Sequence, residues 1–115
     1  MLAAQYRLRR SRDIARVYKR GVYGGAEGLL SLKAAPNGRA ESRIVVVVAK
    51  KIDKRAVTRN RIRRRLVELL RQSWETVPPG YDIVISAHAD LSALPSRHLR
   101  QLLDTACRRA RLSAS

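Results

Sequence analysis

The sequence predicts an α/β (α+β) two-layer sandwich, with the element order αββαβα and helices over one side of a small sheet. Apolar, β-branched runs at residues 44–48 and 81–87 have the composition of strands. The segments around them carry apolar residues three or four positions apart, as amphipathic helices do. A chain of 115 residues with 45% hydrophobic composition also suits one compact core. Residues 1–115 are therefore expected to form a single domain.

The first predicted element is a short helix that follows a basic arm. Residues 1–10 contain three arginines and little apolar pattern, which indicates a partly flexible arm. The apolar spacing of residues 12–20 predicts a helix, with Ser11 as its N-cap. Gly21 is expected to end this helix in a conformation with positive φ, which glycine tolerates.

Two strands are predicted after this helix. Three glycines within residues 24–28 indicate a flexible connection. Residues 29–35 and 43–49 have strand composition, and the turn sequence Pro-Asn-Gly at residues 36–38 predicts that the two strands are antiparallel. The run at residues 44–48 is apolar at every position, which predicts a central strand that is covered on both sides.

A helix follows the second strand. It is expected to start between Asp53 and Thr58, either of which is a suitable capping residue, and to run to about Trp74. The sequence Pro-Pro-Gly at residues 78–80 excludes a longer helix, because proline lacks the backbone donor that a helix needs.

The remainder of the chain predicts a third strand and a last helix. Residues 81–87 are again largely apolar and suit a strand. The last helix opens near Ser92, which places Pro95 in the first turn, where proline is tolerated, and it continues to Ala110. Cys107 lies on its apolar side and is expected to be a small buried hydrophobe. A single cysteine excludes an internal disulfide and suits a reducing compartment, so a cytoplasmic location is expected.

The loop and helix after the second strand form the centre of charge. Residues 50–66 contain nine basic side chains and a single carboxylate, Asp53. Helical spacing predicts an inward group of Val57, Ile62, Leu66, Leu69, Leu70 and Ser73 and an outward group of Arg61, Arg64, Arg65, Glu68 and Arg71. Ordinary solvated helices place Glu among Lys and Arg to limit repulsion, whereas Glu68 is almost alone here. The pattern favours a surface that binds a polyanion over one that is merely solvated.

The formal net charge of +16 indicates the same class of partner. Nucleic acid is the first candidate, and an anionic membrane surface is the second. The membrane is disfavoured because no apolar run approaches the roughly 18–20 residues of a spanning helix. The nine acidic residues are scattered, and neither histidine has a cysteine or carboxylate at ligand spacing. We therefore assign no catalytic residue, no metal site and no protein partner.

The motif in the basic stretch is similar to one in a known family. Val-Ala-Lys-Lys at residues 48–51, followed by Arg-Ala-Val-x-Arg-Asn-Arg-Ile-x-Arg-x-Leu at residues 55–66, resembles the signature of the protein subunit of bacterial ribonuclease P. Residues 8–21 resemble the first helix of that family, and residues 78–84 resemble its last strand with the preceding turn. The resemblance covers almost the whole chain, in the order and spacing of the family.

The resemblance implies a fold and a function. The family fold, shared with a domain of a ribosomal protein, has a left-handed βαβ crossover, although such crossovers are nearly always right-handed. In this endonuclease the RNA subunit, with Mg²⁺ bound mainly by RNA, removes the 5′ leader of precursor tRNA. The protein, which needs no cofactor itself, binds the leader and stabilises the active RNA conformation. The residues expected to face ribonuclease P RNA are Lys50, Lys54, Arg55, Arg59, Asn60, Arg61, Arg63, Arg64 and Arg65.

The resemblance also implies a leader-binding cleft between the first helix and the sheet. Carried over by position, the cleft contains Ile14, Tyr18 and Leu32, with Lys51 in contact with phosphate. Ile14 and Leu32 stand where aromatic residues are common in the family, and they either line the cleft or belong to the core. Tyr18 keeps a ring on which a base can stack, and Tyr23 is a second candidate for stacking.

Two other functions fit parts of the sequence. A ribosomal protein or RNA chaperone would share the composition and the fold, and only the ordered motif matches argue against it. A nuclease that acts without RNA would need clustered carboxylates or a histidine pair, and neither pattern is present in the sequence.

Overall fold

A four-stranded sheet and three α-helices make up the structure, a computed structural model that describes residues 3–112. The helices are α1 (Ser11–Arg20), α2 (Ala56–Gln72) and α3 (Ser96–Arg109). The strands are β1 (Val22–Ala26), β2 (Leu30–Pro36), β3 (Arg43–Val48) and β4 (Tyr81–Ala87). The predicted mixed fold and the order αββαβα are confirmed, with β1 as an additional strand.

The strands lie in the order β1-β2-β4-β3. β4 pairs antiparallel with β2 and parallel with β3, so that Val84 lies opposite Lys33 on one side and Val45 on the other. β2 and β3 run in opposite directions, as predicted, but β4 lies between them. The predicted central position of residues 44–48 is therefore wrong, because α2 carries the chain back and lets β4 insert beside β2.

Helices cover both faces of the sheet, although they were predicted to cover only one. Helices α2 and α3 pack on one face, where the main core includes Leu32, Ile62, Leu66, Ile83, Ile85, Leu99 and Leu102. Helix α1 packs on the opposite face, where Val17 meets Ala35 and Val84. β3 is apolar at every position after Arg43 because its alternate residues contribute to these two clusters.

The ends of α1 differ from the prediction. Ser11 is the first helical residue, and Arg10 occupies the N-cap position without a side-chain hydrogen bond. Gly21 follows the helix with φ of −72°, so it does not supply a positive φ. Glycine is required there for close approach instead, because a Cβ atom would lie 2.5 Å from the carbonyl oxygen of Val17.

The last helix begins four residues later than predicted. α3 starts at Ser96, and Pro95 is its N-cap residue. The Asp90 carboxylate accepts the backbone N–H of Ser92 at 2.9 Å, which forms a turn at the position where a helix start was expected.

Residues 24–28, predicted as a flexible connection, contain most of β1. Gly24 lies against α3 so closely that a Cβ atom would overlap the carbonyl oxygen of Ala106 and lie 2.5 Å from the Ala110 nitrogen. The glycines therefore allow a strand to pack against a helix backbone. Glu27 and Gly28, both with positive φ, then form the turn into β2.

The predicted arm is partly packed. Leu8 is 2% exposed, and its N–H donates to the carbonyl oxygen of Ile44 at 2.8 Å. The rings of Tyr6 and Trp74 lie 5.4 Å apart. The first two residues of the arm lie outside the described residues. No helix in the described part of the chain is long and apolar enough to cross a membrane.

Candidate nucleic-acid interface

The loop between β3 and α2 and the first turns of α2 carry the predicted basic residues. Within this group Lys50, Lys51, Lys54, Arg55, Asn60, Arg61 and Arg64 are exposed, whereas Arg59, Arg63 and Arg65 are half-buried. α2 starts at Ala56 with Arg55 at its N-cap position, so neither Asp53 nor Thr58 is the capping residue. The start of α2 nevertheless falls within the predicted interval.

One predicted core residue of α2 belongs to the outer surface. Val57 is 67% exposed, and its predicted core position is wrong. The inward face consists of Thr58, Ile62, Leu66 and Leu70, which are spaced by four residues. Val57 lies one position away from this stripe and so points outward among the arginines.

Hydrogen bonds within the loop hold it against the start of α2. Arg59 Nη1 donates to the carbonyl oxygens of Asp53 and Lys54, both at 2.9 Å. The Asp53 carboxylate accepts the backbone N–H of Arg55 at 2.8 Å and its guanidinium at 2.9 Å. These bonds from the Arg55 side chain and backbone lower the pKa of Asp53 to about 2. The one carboxylate of the basic stretch is therefore already paired.

Four exposed cations of this surface have neither a carboxylate partner nor a side-chain hydrogen bond among residues 3–112. Among residues 3–112, no ion pair involves Lys50, Lys51, Lys54 or Arg61. Exposed like charges at one helix end repel one another. A phosphate backbone bound beside these side chains would replace their mutual repulsion with attraction.

Two further arginines are bonded to Asn60. Arg63 Nη1 donates to Asn60 Oδ1 at 2.6 Å, and Arg64 Nε donates to the Asn60 carbonyl oxygen at 3.4 Å. The structure therefore brings Asn60, Arg63 and Arg64 together on one flank of α2, next to β3.

Arg65 lies on the other flank of α2. Its Nη1 donates to the carbonyl oxygens of Leu91 at 2.7 Å and Ser92 at 3.2 Å. Its Nη2 lies 3.4 Å from the Ser96 hydroxyl. These bonds attach α2 to the turn before α3, so the geometry gives Arg65 a packing role.

The predicted cleft corresponds to the sheet face on which α1 packs. Tyr18 is 45% exposed near the end of α1. Lys33 of β2 donates to the Tyr18 carbonyl oxygen at 2.7 Å, and its Nζ lies 6.0 Å from the Tyr18 ring centroid. Tyr23 of β1 is 60% exposed, and Ile14 is half-buried in the apolar cluster beneath α1. Lys51 is exposed in the loop that follows β3.

Leu32 does not belong to this surface. It is 1% exposed and lies in the main core beneath α2 and α3. Successive strand residues point to opposite faces, so Lys33, and not Leu32, faces α1. Of the two alternatives left open for Leu32, cleft or core, the structure supports the core, and strand alternation is the signal that identifies Lys33 on the cleft side.

A buried ion cluster that no sequence pattern predicted positions α1. Asp82 is 0% exposed and accepts hydrogen bonds from Arg16 at 2.7 Å, Arg43 at 2.7 and 2.9 Å, and Asn37 at 3.0 Å. Burial alone would raise the pKa of Asp82, but the Arg43 and Asn37 hydrogen bonds and the arginine charges lower it. The cluster fixes the helix that carries Tyr18. Its members are far apart in sequence, so no local spacing reveals it.

Known proteins resemble this chain in sequence and in fold. Residues 2–111 match the family described as Ribonuclease P. The ribonuclease P protein component of a Roseiflexus species (strain RS-1) is 42% identical over 106 residues, which cover 91% of this chain and 85% of that protein. The solved ribonuclease P protein of Thermotoga maritima is 30% identical, with a TM-score of 0.75 and coverage of 84% of this chain and 90% of that chain. The Staphylococcus aureus ribonuclease P protein shares the fold at a TM-score of 0.81, with 23% identity and coverage of 94% and 97%. This chain belongs to the ribonuclease P protein family.

Proposed function

We propose that this protein is the RNA-binding subunit of a ribonuclease P, in which the catalytic RNA removes the 5′ leader of precursor tRNA. The observation that carries the proposal is the unpaired cationic surface before and along the first turns of α2. Lys50, Lys51, Lys54 and Arg61 are exposed there without carboxylate partners among residues 3–112. This surface contacts ribonuclease P RNA and stabilises its active conformation.

The cations act through the phosphates of the RNA. Arginine and lysine side chains replace counterions that crowded phosphates otherwise retain, and they do so without loss of the RNA fold. Assistance by the protein is therefore largest at low Mg²⁺ and declines at high salt. Mg²⁺ binds mainly to the RNA in this proposal. No group of three or more His, Cys, Asp or Glu side chains within residues 3–112 is arranged to hold a metal ion.

The leader of precursor tRNA binds on the sheet face beside α1. Tyr18 and Tyr23 offer exposed rings on which unpaired bases stack. Lys33, which lies beside Tyr18, and Lys51 supply positive charge for the leader phosphates. These residues belong to the protein surface rather than to its core, so they are available to a ligand.

Direct binding distinguishes this proposal from a ribosomal or chaperone function. The dissociation constant of the whole protein is measured for a bacterial ribonuclease P RNA and for a structured ribosomal RNA fragment of equal length. The proposal predicts tighter binding to ribonuclease P RNA at moderate salt, where weak electrostatic association is suppressed. Equal affinity for both RNAs would contradict the proposal and favour a general RNA binder.

A further inference from the structure

A groove runs along the free edge of β3, beside the helix that carries the basic motif. This edge groove has a volume of about 830 Å³, and its lining includes Ile44, Val46, Asn60, Arg63, Arg64 and Val67. It lies on the flank of α2 opposite to Arg65. Its walls are valine and isoleucine, and its polar lining consists of the Asn60 amide, the guanidinium groups of Arg7, Arg63 and Arg64, and the Glu68 carboxylate.

The backbone of β3 presents unpaired groups to this groove. The N–H of Leu8 donates to the carbonyl oxygen of Ile44, which identifies the side of the strand that faces away from β4. Alternate residues of a strand direct their N–H and C=O groups to the same side, so those of Val46 point to the same free edge. No hydrogen bond within residues 3–112 pairs them there. Val46 thus offers one donor and one acceptor side by side.

The rim of the groove adds polar groups and positive charge. Asn60 Oδ1 accepts from Arg63, whereas Asn60 Nδ2 has no acceptor within residues 3–112. The one carboxylate in the lining, Glu68, is paired with Arg71. The rim therefore attracts an anion, and Asn60 retains free donors beside it.

We propose that the edge groove holds the base of one unpaired nucleotide of the bound RNA. The base packs against the Val67 side chain, and its edge bonds to the Val46 backbone groups or to Asn60 Nδ2. Arg63 and Arg64 contact the adjoining phosphates. RNA is recognised mainly through such unstacked bases, whose donors and acceptors are accessible at their edges. This inference rests on the proposed function and adds a base-binding site to it.

An extended peptide added to the β3 edge is the competing occupant. Peptides that join a sheet usually pair over about five or six residues. Leu8 already occupies the edge at Ile44, and β3 ends at Val48. The remaining edge is too short for such pairing, and the positive charges of Arg63 and Arg64 beside it favour RNA.

Filling the groove without changing its charge tests the proposal. The variant Val67→Phe is compared with Val22→Phe, a half-exposed valine on β1 at the opposite edge of the sheet. Affinity for a bacterial ribonuclease P RNA is measured across salt concentrations, and thermal unfolding verifies that each variant is folded. We expect Val67→Phe to weaken binding by about tenfold with an unchanged salt slope, because no phosphate contact is removed. Val22→Phe should bind like the wild type.

Arg63→Ala is the reference for the loss of a phosphate contact in the same measurement. It should lower the slope of RNA affinity against salt concentration by about one. Wild-type affinity in a folded Val67→Phe variant would overturn the base-binding site while leaving the proposed function intact. Failure of the wild-type protein to bind this RNA would instead overturn the proposed function and this inference together.

A second measurement decides the question if Val67→Phe does not fold. The wild-type protein is photocrosslinked to ribonuclease P RNA that contains 4-thiouridine, and the modified peptides are identified by mass spectrometry. The proposal predicts crosslinks within residues 44–48 or 60–67. Crosslinks confined to other residues, with binding intact, would contradict a base in the groove.

Discussion

Arg59 and Arg61 are two positions apart in one motif, but their guanidinium groups have different surroundings. Arg59 is half-buried and bonded to the carbonyl oxygens of Asp53 and Lys54. The Arg61 side chain is exposed, and its guanidinium group has no hydrogen bond or ion pair with any of residues 3–112. One arginine therefore shapes the basic loop, whereas the other is available to RNA.

The variants Arg59→Ala and Arg61→Ala should therefore behave differently. Arg59→Ala should lower the free energy of unfolding by roughly 1–2 kcal/mol, because two hydrogen bonds from a charged donor are lost. Arg61→Ala should change it by less than about 0.5 kcal/mol, while its RNA affinity falls and the salt slope decreases by about one. Urea titration and RNA binding check both effects. Unchanged affinity of Arg61→Ala at moderate salt would remove Arg61 from the interface.

Asp82 is the residue on which the attachment of α1 depends most. Asp82→Ala leaves Arg43, whose side chain is 13% exposed, without its main partner, and it also releases Arg16. We expect a loss of about 3 kcal/mol in the free energy of unfolding, as for other broken buried ion pairs. Glu75→Ala, an exposed carboxylate without a described ion pair, is the control and should change it by less than about 0.5 kcal/mol.

The lowered pKa of Asp82 predicts how this stability depends on pH. Burial would raise the pKa, but hydrogen bonds from Arg43 and Asn37 outweigh it, so the folded value lies below the ordinary 3.8. A carboxyl group with a depressed pKa stabilises the fold above its unfolded pKa, and this contribution is lost as pH falls through the folded value. The difference in unfolding free energy between wild type and Asp82→Asn should therefore be constant above about pH 5 and shrink below pH 3.8. Denaturant titrations from pH 7 to pH 2 measure it, and a constant difference would contradict the assignment.

At the scale of elements, β1 and α3 are in direct backbone contact. Gly24→Ala would push its new Cβ atom into the carbonyl oxygen of Ala106. We expect a loss of roughly 1–3 kcal/mol, which is typical of overpacking against rigid neighbours. In Gly25→Ala the Cβ atom meets only the far end of the exposed Tyr23 ring, which is free to rotate away. Thermal unfolding should show a clearly larger decrease in Tm for Gly24→Ala than for Gly25→Ala.

The face beside α1 is expected to set substrate preference. Tyr18→Ala and Tyr23→Ala should each reduce the preference for precursor tRNA with a leader over mature tRNA, by roughly 5- to 100-fold if each ring stacks one base. Val22→Ala is a suitable control, because Val22 is half-exposed but lies on the other face of β1 from Tyr23. Affinities of the reconstituted holoenzyme for the two tRNAs check this. A preference that persists in both tyrosine variants would place the leader elsewhere.

For the whole molecule, elements with regular periodicity or clear breakers could be predicted from the sequence. The helix before Pro78 and the strand after Gly80 are found where predicted. β1 could not be predicted, because glycine has low strand propensity. Glycine is required in β1 because the backbone of α3 lies so close to it, and that contact is not visible in the sequence. The order of strands in the sheet could not be predicted either. The apolar composition of β3 indicates that both of its faces are covered, but it does not indicate that β4 is its neighbour in the sheet.

The same distinction applies to the candidate site. The motif identified the basic surface, because charge and spacing are local properties of the chain. The motif did not distinguish arginines that bond to the protein from those that do not. Arg59 and Arg65 donate to protein carbonyl groups, whereas the Arg61 guanidinium has no partner within residues 3–112. For a similar reason Val57 was placed on the wrong face of α2, and the cleft and the core could not be told apart for Leu32. An error of one position reverses the face of a strand residue or moves a helix residue by about 100°.

The central claim is that the protein assists a catalytic RNA, and one cleavage experiment tests it most directly. Precursor tRNA is incubated at low Mg²⁺ with the protein alone, with a bacterial ribonuclease P RNA alone, and with both. We expect cleavage at the mature 5′ end only in the mixture, because the cations of α2 and its preceding loop substitute for Mg²⁺ at the RNA phosphates. No stimulation by the protein, or cleavage by the RNA-free protein, would contradict the account.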